Sequence, residues 1–421
     1  MINKIQRIIN TQEKKRLINN YIALSVLQGA NFIVPLIILP YLVRTLGTDV
    51  FGLVMFAQAF ILYFNVIVDY GFSLSGVREV AIHRDNIHKL EEIFNSIMII
   101  KLLLAIFSFF IMLGIIFIFE QFDHNYKLYI YTFGWVIGQA IFPIWFFQGI
   151  EKMKYITIFK ILAQLMSLLA IVVFVNQPGD YLLVPIFNSF GFILVGIISI
   201  IIIIKEFKFK FSIPTYNILK KYFMESSHFF LSRAAVSIYT SSNAFVLGLF
   251  TNNTLVGHYS IAEKLYIALQ ALYMPIVNVL YPYVSKKRNI TLYKKIFKLV
   301  ILFNIAIIIV LYFITPYLVY LISGDFIEES IKVYRLFLIV ALIVVPSILI
   351  GYPFLAALGY KNYANYSVVA AAIFHLVGLC TLAYFEAINI YSIVILLMFT
   401  QLTDFAIRFY GVKKYRLWKL G

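Results

Sequence analysis

SIMIIKLLLAIFSFFIMLGIIFIF, residues 96–119, holds a single charged side chain, Lys101, in one unbroken apolar run. At 1.5 Å per residue a helix of this length reaches about 36 Å, enough to cross ~30 Å of hydrocarbon. No soluble helix needs such a run, because one face of a soluble helix must be wetted. Blocks of the same kind recur along the chain, among them LLAIVVFV, FGFILVGIISIIIII and LFNIAIIIVLYFI. Apolar residues make up 62% of the 421 positions and charged residues only 13%. A water-soluble chain carries about a quarter charged residues. Strict alternation of apolar and polar positions, which a membrane β-barrel requires, is absent. The chain therefore reads as an all-α polytopic membrane protein of about twelve helices.

Spans are expected near residues 17–43, 50–72, 96–119, 128–150, 156–175, 182–204, 226–250, 258–284, 296–322, 333–358, 365–386 and 392–410. The N-terminal tail, the even-numbered turns and the C-terminal tail together hold 25 Lys and Arg residues, including Lys152, Lys210, Lys287 and Lys414. The odd-numbered turns hold 2, Arg44 and Lys127. Basic residues stay on the cytoplasmic side of an inserting chain, so both termini are expected inside. The net charge of +16 is spread over short turns and suits anionic inner-leaflet lipid. No basic domain of the kind that grips nucleic acid is visible. The lone Cys380 excludes an intrachain disulfide. Six scattered histidines show no metal-ligand spacing, and no nucleophile constellation or Walker motif appears. No cofactor, metal or enzymatic activity is expected.

The basic stretch KEFKFKFSIPTYNILKKYF, residues 205–223, divides the spans six and six. The expected organisation is a lobe over residues 1–204, a cytoplasmic linker over 205–225 and a second lobe over 226–421. Shifting the second half by 205 positions lays TNNTLVGHYSIAEK on LGTDVFGLVMFAQA, with Gly257 on Gly52, Ala262 on Ala57 and Glu263 on Gln58. An even number of spans per half gives a parallel repeat, as in two-lobed transporters.

Two blocks carry a resemblance. LQGANFIVPLIILPYLVRTLGTDVFGLVMFAQAFILYFNVIVDYGFSLSGVREVAIHRD (residues 27–85) resembles the N-terminal signature of the O-antigen flippases. VGHYSIAEKLYIALQALYMPIVNVLYPYVSK (residues 256–286) is similar to the signature that opens their second lobe. These flippases belong to the polysaccharide transporter family, in the superfamily of the multidrug and toxin extrusion (MATE) proteins. The resemblance implies a MATE-like fold of two six-helix lobes in the bacterial inner membrane. It implies movement of undecaprenyl-diphosphate-linked oligosaccharide, an O-antigen or other surface polysaccharide unit, from the cytoplasmic to the periplasmic leaflet. Lipid-linked oligosaccharide and membrane lipid would be its partners, with a polymerase and a chain-length regulator nearby, and a monomer would suffice. The same fold could serve a cation-coupled drug or metabolite antiporter. A membrane polymerase or glycosyltransferase is the competing class, which the short outer turns NQPGDY and SGDFIEES disfavour.

Charges inside spans are costly and need a cavity or a partner. Arg233 and Lys264 are the expected cavity cations, with Glu263, Asn31 and Lys101 beside them. Lys101 lies close enough to a span end that snorkelling is an equal reading. Asp69, Arg78 and Glu79 are expected at the cytoplasmic gate. Asp404 and Arg408, four apart with the acid first, read as a structural ion pair. Pro35 and Pro275 are expected hinges, because proline removes a helix hydrogen bond. Reporter fusions at Lys152, Lys210 and Lys287 should read cytoplasmic, and fusions at Gln177, Asn252 and Asp325 periplasmic. Reversal at two or more of these sites would overturn the topology.

Overall fold

A computed structural model describes the backbone of residues 2–419, with side chains described except at 1–19, 21, 231–233, 235, 236, 238–241 and 419–421. Long helices follow the apolar runs: α1 (Ile2–Asp69), α2 (Phe72–Ile82), α3 (Ile87–Ile118), the short α4 (Glu120–Asp123), α5 (Tyr126–Ile141), α6 (Ile144–Gly149), α7 (Met153–Phe174), α8 (Leu183–Phe207) and α9 (Tyr216–Phe250). They continue with α10 (Asn253–Ala271), α11 (Met274–Lys287), α12 (Ile290–Ser323), α13 (Glu328–Ile350), α14 (Lys361–Tyr384) and α15 (Ile390–Lys414). Among the described residues, 10 stretches are long and apolar enough to cross a membrane. One of them, Ile22–Ile82, contains the first two expected spans, and α9 is only partly described. The count thus agrees with about twelve.

Breaks fall where the backbone chemistry demands them. α1 bends at Gly47, whose φ of 75° and ψ of 162° suit a residue without a Cβ, and this bend is the expected first outer turn. The expected fourth span is divided at Pro143 into α5 and α6, and the eighth at Tyr273, with Pro275 in the first turn of α11. Pro35, by contrast, lies within continuous helix. On α3, Phe107, Phe110, Phe117 and Ile118 are 58–75% exposed, a face that suits only lipid.

The chain forms two compact units, Met1–Ile38 with Phe60–Ala234, and Leu39–Ala59 with Ala235–Gly421. In the first, Phe94, Phe146 and Phe209 lie 5.5–5.8 Å apart between ring centres. Asn95 donates to the Lys210 carbonyl at 2.9 Å, so the start of the expected linker packs onto α3. In the second, residues 48–59 of α1 pack against α10. A Cβ on Gly52 would collide with the Asn253 carbonyl oxygen, and one on Gly257 with the Thr48 carbonyl oxygen. These two clashes exchange under the 205-residue shift, and Thr254 Oγ1 donates to its own repeat partner, Asp49, at 2.9 Å. The internal repeat therefore meets itself about a local two-fold, where only glycine allows the backbones so close.

The second unit also contains a dense ion pair. Arg408 Nη2 lies 3.0 Å from Asp404 Oδ1, with both side chains 9% exposed. Ser347 Oγ donates to Asp404 Oδ2 at 2.6 Å. Arg408 donates to the Ser347 carbonyl at 2.8 Å and to Ser367 Oγ at 2.9 Å. The pair thereby ties α13, α14 and α15 together. A Cβ on Gly351 would sit 2.8 Å from Arg408 Nη1, so the guanidinium lies flat on the wide π-turn Gly351–Ala356. Removing one partner of such a pair strands a buried charge. Arg408→Ala should therefore cost about 3–5 kcal/mol, with lower membrane abundance. The Asp404→Leu/Arg408→Met double variant should recover much of the loss in thermal unfolding of detergent-solubilised protein.

Candidate functional site

The first unit encloses a cavity of about 290 Å³. Asn65 and Asp69 enter it from the end of α1, Ser73 and Leu74 from α2, and Lys101 from α3. Gln139, Phe142, Ile144, Trp145 and Gln148 complete the wall from the broken α5–α6 segment. The volume is close to the lower end of small-molecule sites, about 300 Å³.

The break explains the position of the lysine. In a continuous helix the Gln139 carbonyl would accept from the N–H four residues on, but that residue is Pro143, which has none. The orphaned oxygen instead accepts from Lys101 Nζ at 3.3 Å. Lys101 is 4% exposed, so it is turned inward and does not snorkel to the span end. Asp69 lies near enough to attract it electrostatically, and Ser73 Oγ donates to Asp69 Oδ2 at 2.9 Å. Two opposite charges are therefore fixed on one cavity wall without fusing into a direct ion pair among the described contacts. Trp145 is 2% exposed and its indole N–H has no hydrogen-bond partner among the described residues. A buried donor left unpaired costs about 1–3 kcal/mol. Gly76 lets the indole ring lie against α2, since a Cβ there would sit 3.0 Å from Trp145 Cε3.

An acid, an ammonium group, three amide side chains, a hydroxyl and two aromatic rings make a wall for a polar, hydroxyl-rich or anionic ligand. Among the described residues no three His, Cys, Asp or Glu side chains converge as a metal site requires.

The other residues singled out from the sequence lie elsewhere. Asn31 accepts from Gln164 Nε2 at 2.9 Å and fastens α1 to α7. Arg78 reaches Glu79 at 2.9 Å and Glu225 at 4.0 Å, with its guanidinium 6.0 Å from the Phe229 ring centre. Asp69 thus separates from Arg78 and Glu79, since it faces the cavity while they join α2 to α9. That junction is close, with Ser75 and Ser226 sharing a 2.7 Å hydrogen bond and Tyr70 stacked 4.3 Å from Phe223. Beside it Tyr222 donates to Glu92 at 3.0 Å, and burial with the nearby Glu92 pushes its phenol upward. Glu263 accepts from Tyr259 at 3.1 Å, with Lys264 near it. The side chain of Arg233 lies outside the described residues. Asn65, Ser73, Gln139, Trp145 and Gln148 were not singled out from the sequence. The only signal for Gln139 was the proline four positions after it.

The comparisons with known proteins agree with this architecture. A model of the family described as "Polysaccharide biosynthesis protein" matches residues 17–288. A protein of Shigella dysenteriae named "Putative O-antigen transporter" is 30% identical over 400 residues, covering 91% of this chain and 96% of that one. A protein of the same name from Escherichia coli (strain K12) is 32% identical over 274 residues, 65% of this chain and 66% of that one. The fold is similar to the lipid II flippase MurJ in an inward closed conformation, with a TM-score of 0.70 at 14% identity over 94% of this chain and 87% of that one. It is also similar to an inward-facing multidrug resistance MATE transporter, with a TM-score of 0.65 at 11% identity over 92% and 95% of the two chains. The likeness read from the two sequence blocks holds over the full length, and the chain belongs to the polysaccharide biosynthesis protein family.

Proposed function

We propose that this chain is a flippase for undecaprenyl-diphosphate-linked oligosaccharide, carrying it from the cytoplasmic to the outer leaflet of the bacterial inner membrane. The cavity around Lys101 is the observation that carries this reading. A glycan and a diphosphate cannot cross hydrocarbon unaided, and a carrier must replace their water with fixed polar groups. Lys101 supplies a positive potential for phosphate oxygens. The amides of Asn65, Gln139 and Gln148 are donors and acceptors suited to sugar hydroxyls. The polyprenyl tail needs no site, because it dissolves in lipid. The relatives' names support the substrate class.

The glycine crossing supplies the outer closure in this reading. Under the basic-side topology, Thr48 and Asn253 stand at the outer ends of their helices. Substrate release outward would need Gly52 to leave Gly257.

Deleting the gene should abolish surface polysaccharide and leave single lipid-linked units on the cytoplasmic leaflet. Units reaching the periplasm unpolymerised would mark a polymerase instead. At matched protein abundance, Lys101→Met should cut delivery of polysaccharide at least tenfold, equivalent to about 1.4 kcal/mol. Gln148→Leu, which keeps the bulk and removes the amide, should lower it several-fold. Full delivery by both variants would remove the cavity from the mechanism. In a Cys380→Ala background, Asp49→Cys and Thr254→Cys bridged by a short thiol reagent should stop transport, which a cleavable reagent should restore on reduction. Transport that continues with the bridge in place would sink the outer-closure assignment.

A further inference from the structure

Inside α12, Pro316 has no N–H to give the Tyr312 carbonyl one turn before it. Arg335 of α13 turns to that oxygen, and its Nε donates at 3.4 Å. The guanidinium carbon lies 4.6 Å from the centre of the Tyr312 ring. Backbone and ring of one residue thus hold the arginine head in place. The stripe of α13 that carries it is Lys332, Arg335, Ile339 and Leu342, spaced as one helix face. Ile339 and Leu342 are exposed, as is Phe313, whose ring stands 5.8 Å from that of Tyr312. An exposed apolar face on a spanning helix meets lipid.

The guanidinium has five N–H donors, and Nε accounts for one. The four on the terminal amino groups find no acceptor among the described residues, and no carboxylate there pairs with Arg335. Glu328, two turns earlier on α13, is taken by Lys332 at 2.6 Å, and Glu329 lies near His258. Depth narrows the choice of ligand. The apolar stretch Glu328–Ala356 has 29 residues, about 43 Å of helix against ~30 Å of hydrocarbon. Arg335 stands about 10 Å from its start, close to one hydrocarbon boundary. Phosphate oxygens hang at that level, and a forked guanidinium grips two of them at once.

We propose that Arg335 is a binding site for the phosphate of an anionic phospholipid, held on the lipid-facing side of α12 and α13. The terminal amino groups take the phosphate oxygens, and the Tyr312 ring covers one face of the guanidinium. The acyl chains lie along Phe313, Ile339 and Leu342. The bond to the Tyr312 carbonyl keeps the head from snorkelling away, which separates a fixed site from an ordinary interfacial arginine. An anionic lipid is preferred because Arg335 has no counter-charge of its own, whereas the ammonium of phosphatidylethanolamine already balances its phosphate. The occupant is a phospholipid and not a glycan carrier, because this stripe has no amide side chain to receive sugar hydroxyls.

The test uses full-length protein, delipidated in detergent and given phosphatidylglycerol, with the retained lipid counted by native mass spectrometry. Wild type should hold a phosphatidylglycerol that Arg335→Met binds about tenfold more weakly or worse. Arg335→Lys still serves the Tyr312 carbonyl, which protects the fold, and without the fork it should bind about threefold more weakly. Unchanged binding in the lysine variant overturns the site. Retention of phosphatidylethanolamine equal to that of phosphatidylglycerol overturns the anionic preference. Phosphatidylglycerol with a photoreactive headgroup should label peptides of α12 and α13, and labelling confined to other helices overturns the placement. Undecaprenyl diphosphate should not displace the bound lipid. Displacement at equal concentration would make this a place for a polyprenyl headgroup and overturn the proposal. None of these outcomes depends on whether the chain moves oligosaccharide.

Discussion

A carbonyl oxygen inside hydrocarbon has to find a donor, and at Gln139 the donor is a lysine. In lipid no water stands ready for a backbone group that a helix leaves unpaired, and each such group costs several kcal/mol. Pro143 creates the vacancy and Lys101 fills it across 38 residues of chain. Once that bond exists, the ammonium group is committed to the cavity side of α3, and Asp69, Ser73 and the opened α6 wall gather around it. Both ends of that bond line the cavity. In the second unit Arg408 adds a bond to the Ser347 carbonyl, which also accepts from the Gly351 N–H at the start of the π-turn.

The second constraint is distance of approach. Helices in lipid gain nothing from hiding apolar surface from one another, so close contact must come from small side chains and direct packing. Gly52 and Gly257 serve that end, and a repeat shift of 205 residues makes their contacts reciprocal. The crossing draws residues 39–59 into the packing of the second half of the chain. Span counting alone assigns those residues to the first lobe, because counting follows chain order and packing does not.

Much of the fold was legible because hydropathy acts locally. A run such as 96–119 must be a span whatever its neighbours, and the prolines at 143 and 275 mark where helices end. Asp404 and Arg408 were legible for the same reason, since four residues on one helix fix their mutual distance. What was not legible depends on partners far away in sequence. Lys101 looks like a snorkelling lysine until the Gln139 carbonyl is seen to be free. His375 reads as one scattered histidine, since Asn243 lies 132 residues before it and nothing local links them. Trp145 could not be told from the aromatic residues of an interfacial belt.

A carrier of the proposed kind must also let go, and the charges in the first unit suit that requirement. A lone ammonium group in a dry cavity would hold a diphosphate too firmly to release it, as transport needs binding strong enough to enter and weak enough to leave. Asp69 prevents that trap. Its carboxylate attracts Lys101, and under the proposed function it would repel the phosphate oxygens of an arriving substrate. Ser73 holds Asp69 within this balance without neutralising it. Under the proposed function, the acid beside the cation would work against affinity and for turnover.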